Sequence, residues 1–244
     1  MLTWFFAGTG YEVADFGLDV DVRKYPALPP IYFSGPQNKP AIIWNPGDVR
    51  VMSIGFYPQA FAALTRCDVA NFVDRSIAVV PAFDDEFVAI CATTLNAGEP
   101  IAAFDFLQDA LERRWRNLRP GGESLGRRVR DWAPAIAREA AGSLNPCGAR
   151  QAERRIKKWI GQAHRRLAFY LRAERFFEQA LDRRGGEPLW SAVAFEAGFA
   201  DQSHMIRDMR RLTGFSPRAL FRRLDEEPFW CYRLFADHFA DKVE

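Results

Sequence analysis

Three histidines (164, 204, 238) and four cysteines (67, 91, 147, 231) are all this 244-residue chain offers for soft metal ligation. None of the cysteines forms a C-x-x-C pair, and their spacing makes no even framework. This spacing argues against a zinc cluster and a disulfide scaffold, and the thiols read as free in a reducing compartment. No apolar run approaches the roughly 18 residues of a membrane span. The opening MLTWFFAGTG has no basic segment of the kind that precedes a secretory core. The expectation is a cytoplasmic protein with no membrane partner. Catalytic signatures are missing as well: there is no G-x-S-x-G, phosphate loop or dinucleotide fingerprint. Gly8-Thr9-Gly10 follows a strand but lacks the third glycine and the helix. Asp84-Asp85-Glu86 falls at a helix start, where acids complement the dipole, and is read that way rather than as an acid/base pair. No catalytic residue, no metal ligand and no cofactor is assigned.

What is present is an uneven charge. The composition, 48% hydrophobic and 26% charged, is that of an ordinary globular protein, and the net charge is only +2. Residues 1 to 111 hold 6 Lys+Arg against 13 Asp+Glu, a net −7. Residues 112 to 224 hold 25 against 12, a net +13, and the last twenty hold 2 against 6, a net −4. A basic back half behind an acidic front half points to a polyanion that touches only one of them, the alternative being a plain solvated basic face.

The most legible stretch runs from Leu189 to Leu224. Trp190, Val193, Ala194 and Ala197 make one apolar helical face, closed by Gly198. Met205, Met209 and Leu212 make a second, and Gly214 and Pro217 stop it and start a third helix. Two short helices across a tight turn form a helix-turn-helix unit. Ser203, Arg207, Arg210 and Arg211 lie opposite the second stripe, with Asp208 at the margin. The string Ala194, Ala197, Gly198, Phe199, Gln202, Ser203, His204, then Gly214, Ser216, Pro217 resembles the second helix-turn-helix of AraC-type (arabinose-regulator) transcription factors. The aromatic-Arg pair usual after the proline appears here as Leu220-Phe221, with Arg222 and Arg223 beyond. His204 stands where the family also has His, which implies turn packing rather than catalysis.

The same logic recurs upstream. Trp132 to Ala141 reads as a helix of small residues, residues 142 to 147 as a turn containing Pro146, and Gly148 to Ile160 as a second helix. The latter sets Ala152, Ile156 and Trp159 opposite a basic stripe of Arg150, Arg154, Lys157 and Lys158. It resembles the family's first helix-turn-helix, with a longer turn. A connector over Arg165 to Arg184, apolar at Phe169, Ala173, Phe176 and Ala180, would span about 30 Å at 1.5 Å per residue. One DNA turn is roughly 34 Å, the separation two recognition helices need.

The front half reads as strands at Thr3–Ala7, Ile31–Ser34, Ala41–Trp44 and Val49–Phe56, separated by Gly, Pro and Asn clusters. Helices follow at Gln59–Thr65, Phe83–Asn96 and Ile101–Arg116, the last with Phe104, Leu107 and Leu111 as its stripe. Residues 35 to 37, 54 to 64 and 72 to 80 are similar, more loosely, to an N-terminal effector-type domain of one AraC branch. The strands are few for a closed ligand-holding barrel, as a reduced domain or a start upstream of Met1 would make them. An effector pocket lined by Trp4, Tyr32, Trp44 and Phe56 is one reading of the aromatics, and plain core is the other.

The expected class is α+β: a small, mostly antiparallel β domain with helices over residues 1–119, a sensor or dimerisation module, then an all-α double helix-turn-helix over 123–224 joined by a long helix. The linker is Pro120-Gly121-Gly122, and an acidic aromatic tail fills 225–244. The expected function is sequence-specific regulation of transcription on double-stranded DNA. A small-molecule effector, RNA polymerase and a second copy of the chain are the further candidate partners. Base contacts are assigned to Arg150, Glu153 and Arg154 in the first unit and Gln202, Ser203 and Arg207 in the second, early positions that reach base edges and that the resemblance also assigns. Phosphate contacts are assigned to Lys157, Lys158, Arg165, Arg210 and Arg211. A nonspecific nucleic-acid binder and an enzyme hidden in residues 1 to 111 are the alternatives. Alkyl-transfer repair proteins pair AraC-type helices with a four-cysteine zinc module, which the scattered cysteines argue against.

Overall fold

Strand β1 (Leu2–Ala7) is buried on both faces from Leu2 to Phe5, and its sequence LTWFFA accordingly shows no outward alternation of charged residues. Its centrality comes from pairing on both sides in the computed structural model, which describes residues 1–14, 20–118, 129–142, 148–181, 186–226, 229 and 232. With β2 (Tyr11–Val13), β3 (Ile31–Ser34), β4 (Ile42–Trp44), β5 (Arg50–Ile54) and β6 (Ser76–Ala78), the chain forms a four-stranded sheet ordered β5-β1-β3-β6 and a two-stranded β2-β4 sheet. Every pairing is antiparallel. The α+β class is as expected. Strands β2 and β6 are not among those read from the sequence.

Register divides the large sheet. Leu2, Trp4, Phe33 and Met52 share the face that meets the helices α1 (Pro58–Thr65), α2 (Val79–Ala82), α3 (Asp85–Asn96) and α4 (Pro100–Leu118). Phe61 is the hub of that core: it stacks on Phe33 at 4.2 Å and meets Phe83 and Phe87 edge-on. Truncating such a ring costs about 3–5 kcal/mol. The other face carries Thr3 and Tyr32, with Thr3 Oγ1 bonded to Ser53 Oγ at 3.0 Å and Tyr32 stacked on Phe5. Gly35 ends β3 against another chain segment, where any Cβ would overlap the Phe72 carbonyl.

Helix α4 corrects one expectation. Phe104 does not join Leu107 on the inner face; it is exposed, as is Ile101, and the buried line is Ala103, Leu107 and Ala110. Small residues at 103 and 110 let α4 approach α3 closely, and a wide Phe104 stripe would hold it off.

Contacts divide the chain into two compact units, Met1–Ser124 with Arg154–Gln162, and Leu125–Glu153 with Ala163–Glu244. A division by sequence alone keeps residues 154 to 162 with the back half. They group with the front because Gln162, itself buried, donates from Nε2 to the Gln37 carbonyl at 3.2 Å. The expected linker at Pro120–Gly122 lies outside the described residues.

The second unit is helical: α5 (Val129–Ala141), α7 (His164–Leu181), α8 (Trp190–Glu196), α9 (Gln202–Thr213) and α10 (Pro217–Arg222), with α6 (Ala149–Ile160) shared between the units. The connector α7 buries Phe169, Ala173, Phe176 and Ala180, the expected line, and packs on α5, α8 and α9. The described part of the tail enters this core: Phe229 is buried against Phe215, and Tyr232 stacks on Phe177.

Candidate nucleic-acid interface

The local chemistry of α8 to α10 explains why this stretch was the most legible. Val193, Ala194 and Ala197 are fully buried, small enough for α8 and α9 to cross closely. Gly198 turns the chain at φ +83°, a left-handed conformation that costs glycine nothing. Phe199 anchors the turn in the core. Asp201 caps α9, its Oδ1 accepting the His204 N–H at 2.6 Å. Gly214, at φ +82°, closes α9, and Ser216 caps α10 with Pro217 in its first turn. Two residues of the motif, Gln202 and Ser203, have no such task and stand exposed at the start of α9.

His204 does pack the turn. The Ala200 N–H donates to its Nδ1 at 3.3 Å, and the ring sits edge-on to Phe199 at 5.4 Å. Its Nε2 faces Asp208 Oδ2 at 3.2 Å, and the same oxygen accepts from Arg172 Nη2 at 2.8 Å. Sequence reading placed Asp208 at the margin of the basic face but missed Arg172, because the two are 36 residues apart.

Glu187 ties the start of α8 to α10. It accepts from Trp190 Nε1 at 2.9 Å and pairs with Arg218 at 2.5 Å and Arg222 at 3.5 Å. The Trp190 N–H, and then Arg218, hold its carboxyl below the usual range. Arg223 is likewise occupied, paired with Glu226 at 2.9 Å and lying over the Phe229 ring. Both arginines that follow the unusual Leu220-Phe221 pair therefore make contacts within the unit.

The expected contact residues are all exposed: Gln202, Ser203, Arg207, Arg210 and Arg211 on α9, Arg150, Glu153, Arg154, Lys157 and Lys158 on α6, and Arg165 at the start of α7. Among the described residues no carboxylate pairs with any of these cations. Helix α9 sets Ser203, Arg207, Arg210 and Arg211 on the side away from Met205 and Met209, while Gln202 stands exposed at the helix start, three residues before Met205. Helix α6 sets its basic stripe opposite the buried Ile156 and Ile160, with Ala152 and Trp159 half-buried. The turn before α6, residues 143 to 147, lies outside the described residues.

Of the four aromatics read as a pocket, Trp4 and Phe56 share the core on one face of the large sheet. Register puts Trp4 and Tyr32 on opposite faces of the sheet. Trp4 is core, donating from Nε1 to the Cys91 carbonyl at 3.0 Å, and burial pushes the Tyr32 hydroxyl upward in pKa. Trp44 lies in the small sheet, and Phe56 packs against Phe61. Burial also raises the Cys91 thiol to about 12. Among the described residues no group of His, Cys, Asp or Glu could hold a metal ion, and no helix is long and apolar enough to cross a membrane.

Two short helices held at a left-handed glycine, the second with a basic outer face that no acid pairs among the described residues, define a helix-turn-helix DNA-binding module. Residues 146–223 match the family described as a helix-turn-helix domain, and this region is an AraC-type helix-turn-helix domain of a DNA-binding transcription regulator. No curated protein and no solved structure matches the chain.

Proposed function

We propose that the protein regulates transcription in the cytoplasm by reading a specific double-stranded DNA sequence through two successive major grooves, with α6 in one and α9 in the other. The observation that carries this is the outer face of α9: Gln202, Ser203 and Arg207 at its start, Arg210 and Arg211 further on, all exposed and with no acid paired to the cations among the described residues. Gln suits adenine and Arg suits guanine in the major groove, each good pair worth about 1–3 kcal/mol of discrimination. The later arginines fall where a recognition helix meets phosphate. Helix α6 repeats the arrangement with Arg150, Glu153 and Arg154 ahead of Lys157 and Lys158. The 18-residue connector α7 is about 27 Å long, of the order of one DNA turn.

The front unit is assigned as the sensor or dimerisation module, with a small-molecule effector, RNA polymerase and a second copy of the chain as its partners. The acidic balance of residues 1 to 111, 6 Lys+Arg against 13 Asp+Glu, keeps that segment off DNA. Selection of bound duplexes from a random pool, followed by hydroxyl-radical footprinting, tests the reading. Two protected segments on one side of the duplex, about one turn apart, are expected. Failure to enrich any sequence leaves a nonspecific binder, and a single protected segment removes one of the two units.

A further inference from the structure

Asp208 is the one acid of α9, on the shoulder between the buried Met205 and Met209 and the exposed arginines. Arg211, three residues on, is within reach of an ordinary helical ion pair. The carboxylate turns the other way. Its side chain is 19% exposed, and Oδ2 accepts from Arg172 of α7 while facing Nε2 of His204. Arg172 lies over the Phe199 ring at 5.5 Å and its Nε is buried with no hydrogen-bond partner among the described residues, where its charge is matched chiefly by Asp208. His204 is fixed from behind by the Ala200 N–H and the Phe199 edge. One carboxylate oxygen thus joins the connector helix, the turn and the recognition helix.

Two consequences follow from that junction. Successive helical side chains are about 100° apart, so a modest roll of α9 exchanges which of them meet base edges. A link from α7 to the shoulder of α9 opposes such a roll, which the apolar contacts of Met205 and Met209, being non-directional, resist less. The link also keeps the carboxylate from masking Arg211 or facing a phosphate.

We propose that Asp208 is a positioning residue for base recognition: through Arg172 and His204 it sets the angle at which α9 presents Gln202, Ser203 and Arg207, and it holds its own charge away from the DNA. The proposal rests on the reading of α9 as a base-reading helix.

The test uses the full chain, a duplex selected from a random pool by the wild type, and a scrambled duplex of the same composition. Asp208→Asn keeps the shape and removes the charge. It is expected to lower the ratio of selected to scrambled affinity at least fivefold, with scrambled affinity unchanged or higher. Arg172→Met, on a different helix, should lower the ratio similarly, and it carries the test by itself if Asp208→Asn does not fold. The double variant should lose no more than the worse single one, because both break one link. Partial unfolding lowers both affinities together and leaves the ratio alone. A ratio within twofold of wild type in the single variants, or losses that multiply in the double, overturns the proposal. If the wild type selects no sequence, the base-reading assignment falls and the proposal with it; if it does and Asp208→Asn selects equally well, the positioning role alone falls.

Discussion

Arg114 grips Asp84 with both terminal nitrogens, Nη2 to Oδ2 at 2.6 Å and Nη1 to Oδ1 at 3.0 Å. The same guanidinium donates from Nε to the Leu64 carbonyl at 2.6 Å and reaches Glu86 at 2.9 Å. One side chain of α4, only 8% exposed, therefore holds the end of α1 and the start of α3. Arg114→Ala is expected to destabilise the front unit by about 2–3 kcal/mol, below the roughly 3–5 for a fully buried pair because Asp84 keeps water contact. Arg114→Lys should recover little, since an ammonium cannot fork. Urea melts of the full chain measure this, and an unmoved midpoint for the alanine variant would refute it.

Asp84 adds a pH dependence. Its hydrogen bonds to Arg114 hold its carboxyl below the usual carboxylate range in the folded state. The stability it contributes is present above the unfolded value, about 4, and is lost as pH falls through the depressed folded value. Melts between about pH 5 and pH 2 should therefore show a steeper acid loss in the wild type than in Asp84→Asn, which also keeps a capping oxygen for the Phe87 N–H. Parallel curves would remove the ion pair from the acid response.

Two glycines should differ in their tolerance of alanine. Gly198 would meet only Arg175 Nη1, at 3.5 Å, so Gly198→Ala is expected to cost about 1 kcal/mol, the left-handed backbone alone. Gly35→Ala drives a methyl into the Phe72 backbone, which cannot rotate away, and should cost well over twice as much. Equal melting shifts in the two variants would show that the Gly35 crossing is soft.

Salt reports how many phosphates are met. Each neutralised phosphate contributes about −0.9 to the slope of log affinity against log salt, and engagement of both α6 and α9 should give roughly six contacts or more. A slope near −2 would leave at most one helix on the DNA.

Base and phosphate contacts are separable by substitution. Arg207→Ala should weaken the selected site by about 1–3 kcal/mol and a scrambled duplex much less. Lys158→Ala should weaken both alike and lower the salt slope by about one. Equal losses on both duplexes for Arg207→Ala would leave α9 gripping only the backbone.

The legible parts of the chain were those whose causes are local. The cap, turn and apolar line of α8 to α10 are each set by residues within a turn or two of one another, so spacing revealed them. The same holds for Phe169 to Ala180 in α7. Hidden were the pairings that join distant residues: Arg114 with Asp84, Arg172 with Asp208, Gln162 with Gln37. Phe104 misled because a stripe shows which residues share a helical face but not which face has a neighbour.

Phe229 and Tyr232 bear on any exchange of parts between regulators. Arg223 lies over the Phe229 ring at 4.6 Å, and Phe215 meets its edge. A chimera that grafts the helix-turn-helix region and stops at Leu224 would uncover the Phe215 and Phe177 rings and free Arg223 from its partner. The transplantable unit runs at least to Tyr232, eight residues past the last helix-turn-helix residue that the motif itself marks.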